Sequence, residues 1–135
     1  MRIAHLYPDL LNLYGDRGNI MCLQYRCRQR GIQVTVDEIS VGDPFDHTKY
    51  DLLFIGGGQD FEQEVLLEDL HRGKDEEIRR AVADGTVVLA ICGGYQMLGK
   101  YYQTYTGERL DYIGAVDFYL SLIHISEPTR PEPIS

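Results

Sequence analysis

A chain of 135 residues with 44% hydrophobic and 25% charged side chains has the material for one globular domain and no more. Its formal net charge of −8 excludes the basic surface on which non-specific binding of nucleic acid or anionic membrane depends. It carries no apolar run long enough to span a bilayer and no secretory leader pattern, so a cytoplasmic protein with three free thiols is expected.

Arg2–Tyr7 reads as a short strand, and Pro8, Gly15 and Gly18 punctuate the segment after it. Ile20, Leu23 and Cys27 recur at helical spacing over Asn19–Arg30, with Gly31 as the C′ residue. Cys22 and Cys27 lie in this helix and are expected to pack as small apolar groups rather than to bind zinc. Ile32, Val34 and Val36 alternate, which predicts a second strand, and residues 41–50 read as a loop. Asp51–Ile55 is a continuous apolar run that stops at Gly56, Gly57 and Gly58, the pattern of a strand buried on both faces. Glu62–Gly85 is helical in two pieces broken near Gly73. Thr86–Ile91 is the next buried strand, then comes Cys92, and Tyr95–Tyr102 reads as a short helix. This alternation predicts βαβ units: a parallel sheet with helices on both faces and functional groups at the carboxyl ends of its strands.

Both glycine clusters fall at such ends. Cys92, between an apolar strand and a helix, has the setting of a nucleophile elbow, where a sharp turn lifts the nucleophile above the sheet edge. Backbone crowding there demands small neighbours, and Ala90, Gly93 and Gly94 supply them. The helix start aims N–H groups at the sulfur, and the N–H of Gly93 is placed to face an oxyanion formed by its attack on a carbonyl. A second donor is expected from the other glycine loop, Gly57 first and Gly58 close behind. Simple packing of the cysteine is the competing reading. Phosphate binding at the triple glycine is disfavoured, because neither G-x-x-x-x-G-K-[ST] nor G-x-G-x-x-G occurs.

Three segments together carry a family resemblance. "AICGGYQMLG" resembles the nucleophile segment of class I (triad-type) glutamine amidotransferases, and "LLFIGGGQDFEQ" their oxyanion loop in the cobyric-acid-synthase-like branch. "LYPDLLNLYGDRGNI" is similar to the start of the glutaminase subunits of isoglutaminyl synthases within that branch. The likeness runs from Met1 to about Tyr119 and implies a flavodoxin-like α/β architecture, incomplete at the C-terminus. It implies that Cys92 attacks the side-chain amide carbon of glutamine, releases ammonia and leaves a thioester for water to hydrolyse. Gly93 and the Gly56–Gly58 loop would hold the oxyanions, and Gln96 matches the glutamine of the family's elbow helix, which helps form the substrate pocket. The resemblance further implies a Mur-ligase-like partner subunit that binds ATP and magnesium and amidates the α-carboxyl of D-glutamate in lipid II. This chain would then hold no cofactor of its own.

Other polar residues read differently. Asp9, Asn12, Tyr14, Asp16 and Arg17 have the look of a solvated turn, with a role in the site or the partner interface as the second reading. Asp60, Glu62 and Gln63 suit the cap of the following helix as well as any catalytic task. The family's histidine base lies far beyond the elbow. Neither His5, His47, His71 nor His124 matches its position, and Arg130 is out of register with the family's substrate-binding arginine. From residue 120 the character changes, and "SLIHISEPTRP" resembles translated adapter DNA. A partial amidotransferase domain over 1–119 and a non-native, irregular tail over 120–135 are therefore expected, with little glutaminase activity in the chain as written. The rival functions are a cobyrinate or cobyric acid amidotransferase, a non-catalytic interaction module of the same fold, and a redox-sensing or hydrolase-like protein. Met1 opening directly on the first strand favours a separate subunit over the first of these, and "GGGQDFEQ" disfavours the last.

Overall fold

The structure is a computed structural model that describes residues 1–11, 16–58, 63–103 and 106–121. Its centre is a four-stranded parallel sheet in the order β2-β1-β3-β4, formed by β1 (Arg2–Leu6), β2 (Thr35–Ile39), β3 (Leu52–Ile55) and β4 (Val87–Ala90). β1 and β3 are central and apolar on both faces, and Ile3, Ala4, Leu6, Leu53, Phe54 and Ile55 are all buried. Side chains alternate across the sheet and divide the core in two. Ile3 and Phe54 face α1 (Asp16–Gln29) and meet Ile20. Ala4, Leu6, Leu53 and Ile55 face the opposite way, onto Leu66, Leu70, Ile78 and Ala81 of the segment from α2 (Gln63–Asp69) to α3 (Asp75–Ala83). Helices therefore cover both faces, as the alternating elements imply.

Between α2 and α3 the chain makes one wide turn, Leu70–Lys74, in which the N–H of Asp75 donates to the carbonyl of Leu70 five residues back. Gly73 takes φ 127° there, a conformation glycine adopts without strain, which is the break expected at this residue. A buried polar knot anchors the turn. Tyr7 Oη donates to Asp69 Oδ2 at 2.7 Å, Gly42 N donates to Asp69 Oδ1 at 2.8 Å, and Lys74 Nζ pairs with Asp69 while donating to Ser40 O at 2.8 Å. Burial and then the Asp69 contact push the Tyr7 phenol upward from its ordinary value. For Asp69, burial acts upward but Lys74 and Tyr7 outweigh it and hold the carboxylate below its usual range.

Several expectations need correction. The second strand begins at Thr35, not Ile32, which is 44% exposed and reaches no sheet partner before β1 opens the pairing register at Arg2–Thr35. β4 is not buried on both faces: it lies at the sheet edge among the described residues, α1 does not reach it, and Val87 is 59% exposed. Cys22 does not pack in the core but faces solvent, while Cys27 is half-buried. α1 begins at Asp16, three residues earlier than the apolar spacing indicates.

The helix after Cys92 is also shorter than expected. α4 spans Gly93–Met97, and Tyr101–Gln103 form a strand, β5. β5 pairs antiparallel with β6 (Arg109–Asp111) and parallel with β7 (Leu120–Ser121) in a second, three-stranded sheet. Gly99 marks the change of direction, because a Cβ there would lie 2.6 Å from the Phe118 ring. Beyond β6 the backbone runs back along α4, with Ile113 N bonded to Met97 O, Gly114 N to Gly99 O and Val116 N to Leu98 O. Tyr112 and Ile113 are buried in the main core, so the segment through Phe118 is integral to the fold. β7 pairs with β5 through Leu120 and Ser121, and residues 122–135, with His124 and Arg130 and most of the expected tail, lie outside the described residues.

Candidate functional site

Cys92 follows β4 after one residue, Ile91. The chain must leave the sheet and start a helix within two residues, and it does so with Cys92 at φ 49°, ψ −110°, a region that side-chain-bearing residues avoid. The thiol-bearing residue is exposed. Three backbone bonds fix the turn: Ile91 N to Ile55 O at 2.9 Å, Gly94 N to Ile91 O at 2.9 Å, and Gln96 N to Cys92 O at 3.0 Å. Glycine is sterically required at 94, where a Cβ would stand 2.4 Å from Ile55 O and 2.7 Å from Gly56 O. The elbow is therefore pressed onto the end of β3 by main-chain contact. Gln96 lies half-buried on α4, one turn beyond the cysteine.

The glycine loop after β3 is the surface against which the elbow sits. The nearest atom to the position of a Gly93 Cβ is Gly58 N, at 3.5 Å, with Gly57 Cα at 3.8 Å. Both glycine turns thus share one end of the sheet. Within the loop, Gly57 N donates to the Asp16 carboxyl, a long bond of 3.4 Å. A thiol on a sharp strand-to-helix turn beside a glycine loop has the setting of a nucleophile that attacks an acyl carbon.

Asp16 is the residue the sequence under-represents. It belongs to a polar run that reads as a solvated turn, yet it is 0% exposed, while Asp9 and Arg17 form an exposed pair at 3.5 Å. Asn12, Tyr14, Asp60 and Glu62 lie outside the described residues, as does the side chain of Gln63.

Two of the three described histidines are engaged through both ring nitrogens. His47 Nε2 and Nδ1 meet Asp84 Oδ2 at 2.7 Å and Glu77 Oε1 at 2.9 Å, and these contacts raise its pKa above the ordinary histidine value. Asp46, His47 and Glu77 bring potential metal-ligand atoms within 4.8 Å of one another. His71 Nδ1 contacts Asp75 at 3.0 Å and its Nε2 the Asp111 carbonyl at 2.9 Å. His5 is buried edge-on to Phe54, and burial lowers its pKa against the pull of Glu38 and Asp16. It lines a cleft of about 310 Å³ with Arg17, Met21, Gln24 and Glu38 on the α1 face of the sheet, which shares no residue with the elbow.

A parallel α/β sheet that lifts a cysteine on a strained strand-to-helix turn, with a glycine loop packed against it, is the architecture of class I glutamine amidotransferases. The family profile of the CobB/CobQ-like glutamine amidotransferase domain matches residues 2–124, and the chain belongs to that family. It is similar to the lipid II isoglutaminyl synthase (glutamine-hydrolyzing) subunit GatD of Streptococcus pneumoniae, 48% identical over 119 residues, which are 88% of this chain and 45% of that protein. GatD of Staphylococcus aureus is 43% identical over 119 residues, 88% of this chain and 49% of that protein. A probable cobyric acid synthase of Methanopyrus kandleri is 54% identical over only 46 residues, 33% of this chain and 9% of that protein. The chain thus spans about half the length of the two GatD relatives. Among the described residues no helix is long and apolar enough to cross a membrane.

Proposed function

We propose that this chain is the glutaminase part of an isoglutaminyl synthase, delivering ammonia for amidation of the D-glutamate α-carboxyl in lipid II. The observation that carries the chemistry is the strained, exposed Cys92 with Gly93 set against Gly58 N. The observation that favours this acceptor over a corrinoid is the extent of similarity to the two GatD subunits, against a much shorter match to cobyric acid synthase.

Cys92 Sγ attacks the side-chain amide carbon of glutamine, and the carbonyl π electrons move onto oxygen. The N–H groups of Gly93 and of the Gly57–Gly58 loop stabilise that oxyanion. Collapse of the intermediate breaks the C–N bond; the nitrogen takes a proton and leaves as ammonia. Water then attacks the γ-glutamyl thioester through a second oxyanion, releases glutamate and restores the thiol, so the net reaction consumes glutamine and water. Gln96 lines the glutamine pocket from α4. The proton carrier that the family requires is a histidine, and none of His5, His47, His71 and His124 matches its position; the ring nitrogens of His47 and His71 are already engaged. ATP and magnesium belong to a Mur-ligase-like partner that activates the acceptor carboxyl, and this chain works in the cytoplasm as that partner's ammonia source.

Mass spectrometry after treatment with a diazoketone analogue of glutamine tests the reading. Covalent label on Cys92, blocked by excess glutamine and absent in Cys92→Ser, is the expected result. Equal labelling of Cys22, Cys27 and Cys92, unaffected by glutamine, would sink it.

A further inference from the structure

The glycine loop has a mechanical difficulty. Three successive glycines have no side chains to anchor them, and glycine is the residue most free to rotate. A displacement of the loop would carry its N–H groups away from the elbow and leave an oxyanion there without donors.

Asp16 is placed to prevent this. Its Oδ2 accepts from Gly57 N at 3.4 Å, across 41 positions of sequence. Its Cγ stands 2.4 Å from where a Gly56 Cβ would lie, so the carboxyl rests directly on the loop. Leu10 and Leu11 close the same side, with Leu11 O at 2.5 Å from a Gly56 Cβ and Leu10 O at 2.6 Å from a Gly58 Cβ. The group is 0% exposed, and among the described residues Asp16 Oδ1 has no hydrogen-bond partner. Burying a carboxyl with one oxygen unpartnered is costly, and an ordinary helix-start residue would not incur that cost. Gly57 N belongs to the Gly56–Gly57 peptide, so this bond ties the start of the loop to α1, while Gly58 N lies 3.5 Å from the position of a Gly93 Cβ.

We propose that Asp16 is a positioning residue: it anchors the Gly56–Gly57 peptide and so holds the glycine loop, with its N–H groups, against the elbow. The inference rests on the glutaminase reading above. It acts on the transition state, where the oxyanion exists, and not on the binding of glutamine.

The test is steady-state ammonia release by the intact chain assembled with its partner subunit, alongside alkylation of Cys92 by iodoacetamide, a reaction that needs no oxyanion hole. Asp16→Ala is expected to lower kcat by about 10- to 100-fold with KM within about threefold, and to leave the alkylation rate unchanged. Asp16→Asn retains an acceptor oxygen and is expected to recover most of the loss, and Asp9→Asn, in the same segment but exposed, to behave as wild type. Should Asp16→Ala not fold, Asp16→Ser, which withdraws the polar group from Gly57, is expected to give the same kcat-selective loss. Wild-type kcat in Asp16→Ala or Asp16→Ser, or a loss shared equally by kcat, KM and alkylation, overturns the positioning role while Cys92-dependent turnover stands. Failure of Cys92 to take the glutamine-blockable diazoketone label overturns the glutaminase reading and this inference with it.

Discussion

At Cys92 the backbone holds φ 49°, ψ −110°, which for a residue with a side chain stores about 1–3 kcal/mol of strain. Glycine relieves it. Cys92→Gly is therefore expected to melt higher than Cys92→Ala, by about 1 kcal/mol after the chain-entropy penalty of glycine, although both variants lack the thiol. Thermal denaturation of the pair decides the point, and equal stabilities would remove strain from the account of the elbow. Gly94→Ala should act in the opposite sense. Its Cβ would meet Ile55 O and Gly56 O, which are main-chain atoms unable to swing away. A loss of at least about 2 kcal/mol is expected, measured by denaturant titration, against a small effect for Gly93→Ala, whose nearest neighbour stands at an ordinary 3.5 Å. The cysteine and its glycines were legible in the sequence because this geometry permits so few residue types. Asp16 was not, because a carboxyl next to glycine has the same appearance in sequence whether it is solvated or sealed in.

At the scale of elements, two polar clamps hold the helical layer to the sheet. His47, in the short turn His47–Lys49, bridges to Glu77 on α3 and to Asp84 just beyond it. Its pKa is raised in the folded state, so its contribution is complete below the ordinary value of about 6.5 and is lost as pH climbs through the higher folded value. Melting temperatures taken at increasing pH should show a fall above about 6.5 that His47→Gln abolishes; an identical fall in that variant would assign it to other groups. The second clamp is the Asp69 knot. Asp69→Ala leaves Lys74 buried without its carboxylate and is expected to cost about 3–5 kcal/mol in denaturant titrations. Neither clamp could be read from sequence, since each joins residues far apart in the chain. The strands β3 and β4 could, because an apolar run that ends at glycine or cysteine has few other interpretations, and β1 could as a short segment closed by Pro8. β5, β6 and β7 escaped for a different reason. They are two or three residues long, too short to display a period, and Tyr101 and Tyr102 extend the apolar spacing of α4 across Gly99.

On the scale of the whole molecule, coverage of the sheet is uneven. α1 packs over β1 and β3 through Ile20, while Val87 and Leu89 of β4 remain exposed on that same face. An apolar-surface dye is expected to bind the isolated chain, and the double variant Val87→Thr, Leu89→Thr to reduce its fluorescence without lowering the melting temperature; unchanged fluorescence would place the apolar surface elsewhere. The parallel architecture and the end of the sheet that carries the site were both evident from the alternation of elements, but the incomplete cover over β4 was not, because an apolar strand reads the same whether or not a helix lies on it. The crowding around Gly56, Gly58 and Gly94 bears on how variant libraries of this gene should be interpreted. A saturation screen scored on growth alone will mark those positions as intolerant beside Cys92, yet their intolerance is steric. Scoring protein abundance in parallel will separate the two groups: the glycine variants disappear from the cell, while the Cys92 variants accumulate as stable, silent protein.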